Sequence, residues 1–123
     1  MIHLDTNYLI AMVTLDTPQG ASAQRWLDEN EKIGVSAIAW TEFLTGPFSP
    51  HQFELASAII QRVVPFGQAE AVCAAKLYNL AGRKREKRLD CMIAATAIIS
   101  RAALATINHR DFTTFKTEGL FLA

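Results

Sequence analysis

Cysteine is scarce in this 123-residue sequence. Its two thiols, Cys73 and Cys91, lie in helical, apolar patterns without the paired spacing of a zinc or redox motif. Buried free thiols in a reducing cytoplasm are therefore expected, not a disulfide or a zinc site. Long apolar runs are missing too: none approaches the roughly 18 residues needed to span a bilayer. The amino terminus has no basic n-region and Asp5 interrupts its first apolar stretch, so no secretory signal is expected. The expectation is a soluble cytoplasmic protein. Charge is also sparse, at 20% of residues, and 12 Lys+Arg balance 12 Asp+Glu. A nucleic-acid-binding protein usually carries a basic excess, so a zero balance would weigh against that class if the charges were evenly spread.

They are not evenly spread. Arg83, Lys84, Arg85, Lys87 and Arg88 gather five of the twelve basic residues into one six-residue run, interrupted only by Glu86. That run carries +4, so the rest of the chain sums to −4. Within this acidic remainder Asp5, Glu42, Asp90 and Asp111 sit in or beside strongly apolar segments, an unusual place for a charge. Half of the residues are hydrophobic, which supplies a core for one compact domain over 1–123 and excludes a disordered chain.

Residues 1–4 have strand character, and Asp5-Thr6-Asn7 then offers cap-type residues before the apolar helix pattern of Tyr8–Met12. A helix at 21–30 is followed by a strand at 33–36, and a helix at 37–45 carries Glu42 in its middle. Gly46-Pro47-Phe48-Ser49-Pro50 ends that helix. The pattern predicts a further helix over 51–64, a strand within 63–66 and a helix from 67 to about 81. Asp90 stands at the head of an apolar, alanine-rich helix over 91–99 that reads as buried. A strand at 104–107, a polar turn into a short helix at 108–112, and a last strand at 120–122 complete the chain. Strands alternating with helices imply a parallel α/β sheet with helices on both faces. Ligands in such sheets bind beyond the carboxyl ends of the strands, where Asp5, Glu42, Asp90 and Asn108 or Asp111 would all converge.

Taken singly, these acids have ordinary structural roles: Asp5 and Asp90 as helix caps, Asp111 in a turn. Glu42 is harder to explain away, because it lies between Trp40 and Phe43 in an apolar helix, where a buried carboxylate needs a partner. Jointly they are harder still. Carboxylates about 4 Å apart repel by roughly 4 kcal/mol per pair at an effective dielectric of 20, so a cluster requires compensating charge. Hard oxygen ligands without a Cys/His set favour Mg²⁺ or Mn²⁺, ions that keep several waters. Such an ion activates water and stabilises the leaving oxygen in phosphodiester cleavage.

Four segments carry a family resemblance across essentially the whole chain: Ile2-His3-Leu4-Asp5-Thr6-Asn7, Thr41-Glu42-Phe43, Asp90-Cys91-Met92-Ile93-Ala94-Ala95-Thr96-Ala97, and Ala105-Thr106-Ile107-Asn108 with Asp111-Phe112. With them the sequence resembles the PIN-domain ribonucleases, and among these the small VapC-type toxins of bacterial and archaeal toxin–antitoxin pairs. The resemblance implies a three-layer α/β/α fold with a central, mainly parallel sheet. It matches Asp5, Glu42 and Asp90 to the first three acids of the family's metal site. The fourth position is shared between Asn108 and Asp111, with Asp111 favoured for charge and Asn108 for a direct or water-mediated contact. Thr6 matches a position whose hydroxyl lies near the metal.

The resulting expectation is a Mg²⁺-dependent endoribonuclease, with Mn²⁺ as the other candidate ion, that hydrolyses RNA by a metal-activated water. The family further implies a homodimer and a VapB-like antitoxin partner. The basic run at 83–88 would clamp RNA phosphates or meet an acidic segment of the antitoxin, or would simply be a solvated loop. Trp26 and Trp40 fit core positions better than base-stacking platforms, and His3 receives no catalytic role. Two other readings compete: a PIN fold without catalysis that serves as a binding module, and a phosphoacceptor receiver domain. The second would need an acceptor aspartate near mid-chain, and none lies between Asp28 and Asp90.

Overall fold

The computed structural model describes residues 1–123. Five short parallel strands form one sheet in the order β3-β2-β1-β4-β5: β1 (Ile2–Leu4), β2 (Ile33–Ser36), β3 (Arg62–Val64), β4 (Ala103–Ala105) and β5 (Phe121–Leu122). Seven helices flank it, α1 (Thr6–Met12), α2 (Pro18–Asp28), α3 (Ala37–Leu44), α4 (Pro50–Ile59), α5 (Gln68–Leu80), α6 (Arg88–Ser100) and α7 (His109–Phe112). This is the α/β/α architecture that the alternating pattern and the family resemblance imply. No helix is long and apolar enough to cross a membrane.

Every residue of β1 and β2 is buried, as expected of parallel strands covered on both faces. His3, in the middle of β1, is buried with them, and neither ring nitrogen has a hydrogen-bond partner. α6 buries Cys91, Ile93, Ala94, Ala95, Thr96 and Ala97, the small side chains letting a helix lie close among its neighbours. Trp26 is buried and stacks on Tyr8 at 5.8 Å, and the half-buried Trp40 stacks on Phe43 at 5.5 Å. Both serve in packing.

Several boundaries differ from the sequence reading. The helix expected over 51–64 stops at Ile59, because Ile60 turns extended (φ −75°, ψ 116°) to lead into β3. The strand expected within 63–66 instead covers 62–64, since Pro65 offers no N–H to a ladder and holds Val64 in extended geometry. The alanine-rich helix begins at Arg88, three residues earlier than its apolar pattern. Asp90 therefore lies in the first turn of α6 and does not cap it.

The strand order decides where a site forms. Chain progression reverses direction between β1 and β4, which are neighbours in space. The crevice beyond the carboxyl ends of strands at such a reversal is where open α/β sheets bind ligands. Leu4 pairs in register with Val35 on one side and Ala105 on the other. Asp5, Ser36 and Thr106, each the next residue along its strand, thus emerge side by side.

Candidate active site

Asp5 leaves β1 in extended geometry (φ −78°, ψ 172°) and caps α1, its Oδ1 accepting the Tyr8 N–H at 2.8 Å. Its own N–H donates to the Ala105 carbonyl at 3.1 Å, tying the turn to β4. Only 4% of the residue is exposed. Burial pushes its carboxyl pKa up, the Thr106 hydroxyl and the Tyr8 N–H pull it back, and the charges of Glu42 and Asp111 raise it again. The capping role and the acidic-site role thus coexist in one side chain.

Glu42 reaches the same place from α3, which Ser36 caps by accepting the Ala39 N–H at 3.0 Å. The Thr6 hydroxyl donates to Glu42 Oε1 at 2.5 Å, across 36 positions of sequence. That hydroxyl is the partner a half-buried carboxylate requires. Thr6 therefore orients an acid and leaves the capping of α1 to its neighbour Asp5.

Asp90 projects from the first turn of α6 and is half-buried. Its carboxyl is held up at about 6, above the usual 3.8. Burial is the chief cause; the Lys87 ammonium lowers it, while Asp111, Asp5 and Glu42 raise it. Four carboxylates delivered by α1, α3, α6 and α7 thus feel one another's charge at one edge of the sheet. Asp111 is the member from α7, and it accepts a hydrogen bond from Lys87 Nζ at 2.7 Å. That bond is the main reason the Lys87 pKa is raised. Asn108 is exposed at the start of α7, its side chain makes no capping bond, and its N–H donates to Thr106 Oγ1 at 2.9 Å.

The basic run divides. Lys87 joins the acids, whereas Arg83 and Arg88 lie over the Tyr78 ring, with guanidinium carbons 5.8 and 5.3 Å from its centroid. Lys84 and Arg85 are exposed. A solvated loop therefore describes only part of it. Thr106 received no role from sequence reasoning, yet its hydroxyl faces Asp5 and receives the Asn108 N–H. The signal was its position one residue beyond β4, in register with the residue beyond β1. His3, buried in the middle of β1, has its pKa lowered to about 4, by burial first and then by the charges of the N-terminus and Arg62.

No three Asp, Glu, His or Cys side chains stand close enough together to grip a metal ion directly. The donor set nonetheless fits a hard, hydrated divalent cation. It consists of carboxylates without thiolate or imidazole, and Mg²⁺ binds through one or two carboxylates while keeping most of its waters.

A parallel sheet in this order, with acids beside its reversal, makes this an α/β/α domain of the open-sheet class. Residues 2–116 match the PIN-domain family model, and the chain belongs to the PIN-domain family. Among solved structures, the chain is similar over its whole length to a chain of VapBC2 from Rickettsia felis bound to a promoter DNA fragment, at TM-score 0.78 and 19% identity, covering 98% of that chain. It is likewise similar over its whole length to a chain of FitAcB from Neisseria gonorrhoeae, at 0.73 and 23%, covering 97%. In a toxin–antitoxin complex from Klebsiella pneumoniae the values are 0.74 and 25%, covering 91% of this chain and 90% of that one. Comparison with curated proteins gives no significant match.

Proposed function

We propose that this PIN domain is a divalent-metal-dependent endoribonuclease, the toxin of a VapBC-like toxin–antitoxin pair. The observation that carries the nuclease reading is the convergence of Asp5, Glu42, Asp90 and Asp111 on one crevice, with Asp90 held near 6 by burial and by its acidic neighbours. The toxin reading draws on the likeness to the VapBC and FitAcB structures and the Klebsiella pneumoniae complex. In this reading the protein acts in the cytoplasm as a homodimer, cuts RNA, and is silenced by a VapB-like antitoxin.

Asp5 and Asp90 would be the principal holders of Mg²⁺ or Mn²⁺, with Glu42, Asp111 and Asn108 contributing directly or through water. When bound, the ion supplies positive charge and Lewis acidity for hydrolysis of the phosphodiester. The protein's share is positioning. The Tyr8 N–H holds the Asp5 carboxylate, which the Thr106 hydroxyl faces, and the Thr6 hydroxyl holds Glu42. In this reading Glu42 or Asp111 would take up a proton from an attacking water, and Lys87 would leave Asp111 to meet a phosphate oxygen.

Induced expression of the chain, with and without Asp90→Asn, followed by sequencing of cellular RNA 5′ ends, tests the reading. Discrete new 5′-phosphate ends should appear only with the unsubstituted chain and vanish from purified reactions containing EDTA. A folded, antitoxin-free protein that leaves RNA intact would favour the competing reading, a binding module. The spacing of the acids, which share one edge of the sheet without three of them grouping as metal ligands, is what keeps that competitor open to test.

A further inference from the structure

Beside the acidic crevice, α5 and α6 enclose a second feature that the cleavage chemistry does not use. A slot of about 280 Å³ is bounded by Phe66, Ala71, Ala75, Tyr78, Arg88 and Met92. It lies just below the roughly 300 Å³ at which drug-sized sites begin. Its walls are apolar except for one guanidinium, that of Arg88, which lies over the Tyr78 ring. The ring is held in place because its hydroxyl donates to the Arg83 carbonyl at 2.8 Å. Arg83 itself sits at positive φ (58°) after Gly82 (84°), a turn that brings a second guanidinium to the same ring.

We infer that this slot is a subsite for one nucleobase of single-stranded RNA, across the first turn of α6 from the acids. The inference rests on the nuclease reading above and extends it to how the strand is held. Three observations select the occupant. The slot offers an aromatic ring and a guanidinium plane, the two surfaces on which unpaired bases stack. Its one charged wall is cationic: Arg88 lines it, Arg83 reaches the same Tyr78 ring, both are exposed, and no carboxylate is among its lining residues. An apolar peptide side chain would fill the slot but has no need of that wall, whereas a nucleotide brings its own phosphate.

The third observation is where the slot lies relative to the acids. Arg88 and Asp90 are two residues apart in the first turn of α6, so their side chains leave the helix on nearly opposite sides. One side faces Tyr78 and the slot, the other the carboxylates. A helix is about 10 Å across, so a strand that crosses the first turn of α6 would reach both the slot and the acids. The slot has almost no polar wall with which to read a base edge. It selects for the presence of a base, and by size, not by hydrogen bonding.

The test measures binding in EDTA, so that cleavage plays no part. Wild-type protein is titrated with nonameric oligouridylate, oligoadenylate and an abasic ribose-phosphate nonamer. The comparison variant is Ala71→Leu/Ala75→Leu, which plugs the slot from two exposed positions of α5 with good helix formers that cannot stack. The expected result is tighter binding of one or both base-bearing strands than of the abasic strand by about five- to 150-fold, the range for one stacked base. The plugged variant should lose that preference while binding the abasic strand as the wild type does. Equal affinity for all three strands, or a preference that survives the plug, overturns the subsite. So does a slot whose methyl NMR signals respond to a capped leucine peptide but not to RNA, which assigns it to a protein segment. Cleavage by the wild type in Mg²⁺, run separately, shows whether the nuclease reading stands or falls on its own.

Discussion

Lys87 Nζ lies 2.7 Å from Asp111 Oδ1, although the two residues are 24 positions apart. The bond joins the chain's basic run to its acidic crevice, so the two charge asymmetries of the sequence meet in one ion pair. In the metal-free protein this lysine is the cation that an acidic cluster requires. Under the proposed function it would compete with a metal ion for the same carboxylates.

Replacing Lys87 by Met should therefore strengthen Mn²⁺ binding severalfold, measured by calorimetry at pH 7.5. Stability should change by less than about 1 kcal/mol, because the pair is partly solvated, with 26% and 39% of the two side chains exposed. Weaker metal binding in the variant would mean that Lys87 orders the site and does not compete for it.

Asp90 should make the metal-free protein less stable as pH rises. Its folded pKa of about 6 lies above the usual 3.8. The unfolded chain thus releases this proton first, and stability falls between about pH 4 and pH 6. The span corresponds to up to roughly 3 kcal/mol, less after solvent screening of a half-exposed group. Asp90→Asn should remove this slope in urea melts with EDTA present and leave the protein as stable or more so at pH 7.5. Cleavage should nonetheless drop by at least about 100-fold, the scale of losing a few kcal/mol at a reacting centre.

His3 should act in the opposite direction. Its folded pKa of about 4 lies below the usual 6.5, so the unfolded chain gains a proton first and stability falls as pH drops from about 6.5 to 4. The full effect is roughly 3 kcal/mol. Both ring nitrogens lack partners, so His3→Leu should remove this slope and hold or raise stability at neutral pH. Urea melts across that range, on the two single variants, separate the histidine from the aspartate. An unchanged acid slope in His3→Leu would show that the ring is hydrated or protonated in the fold.

Thr6→Val deletes the hydroxyl that holds Glu42 and keeps the side-chain shape. Under the proposed mechanism kcat should fall about tenfold with KM nearly unchanged, and Thr6→Ser should restore most of it. A fall confined to KM would place the hydroxyl in substrate binding. Single-turnover cleavage of a short RNA in saturating Mg²⁺ distinguishes the two.

Much of this protein is legible along the chain. The period of its apolar residues, together with Asp5 and the Gly-Pro punctuation at 46–47, marks the alternation of strand and helix, because caps and breakers act within a few residues of themselves. Asp5, Glu42, Asp90 and Asp111 also stand out locally, as charges set in apolar surroundings. What local pattern does not encode is which strand lies beside which. The neighbouring of β1 and β4 brings Thr106 next to Asp5, and the close packing of the helices on the sheet gives Glu42 its Thr6 donor. The same packing splits the basic run, sending Lys87 to the acids and Arg83 and Arg88 to Tyr78. These are contacts between residues far apart in sequence, chosen by burial of the whole sheet. Spacing along the chain named the charged groups, and only their convergence in the fold decided which of them neutralise one another.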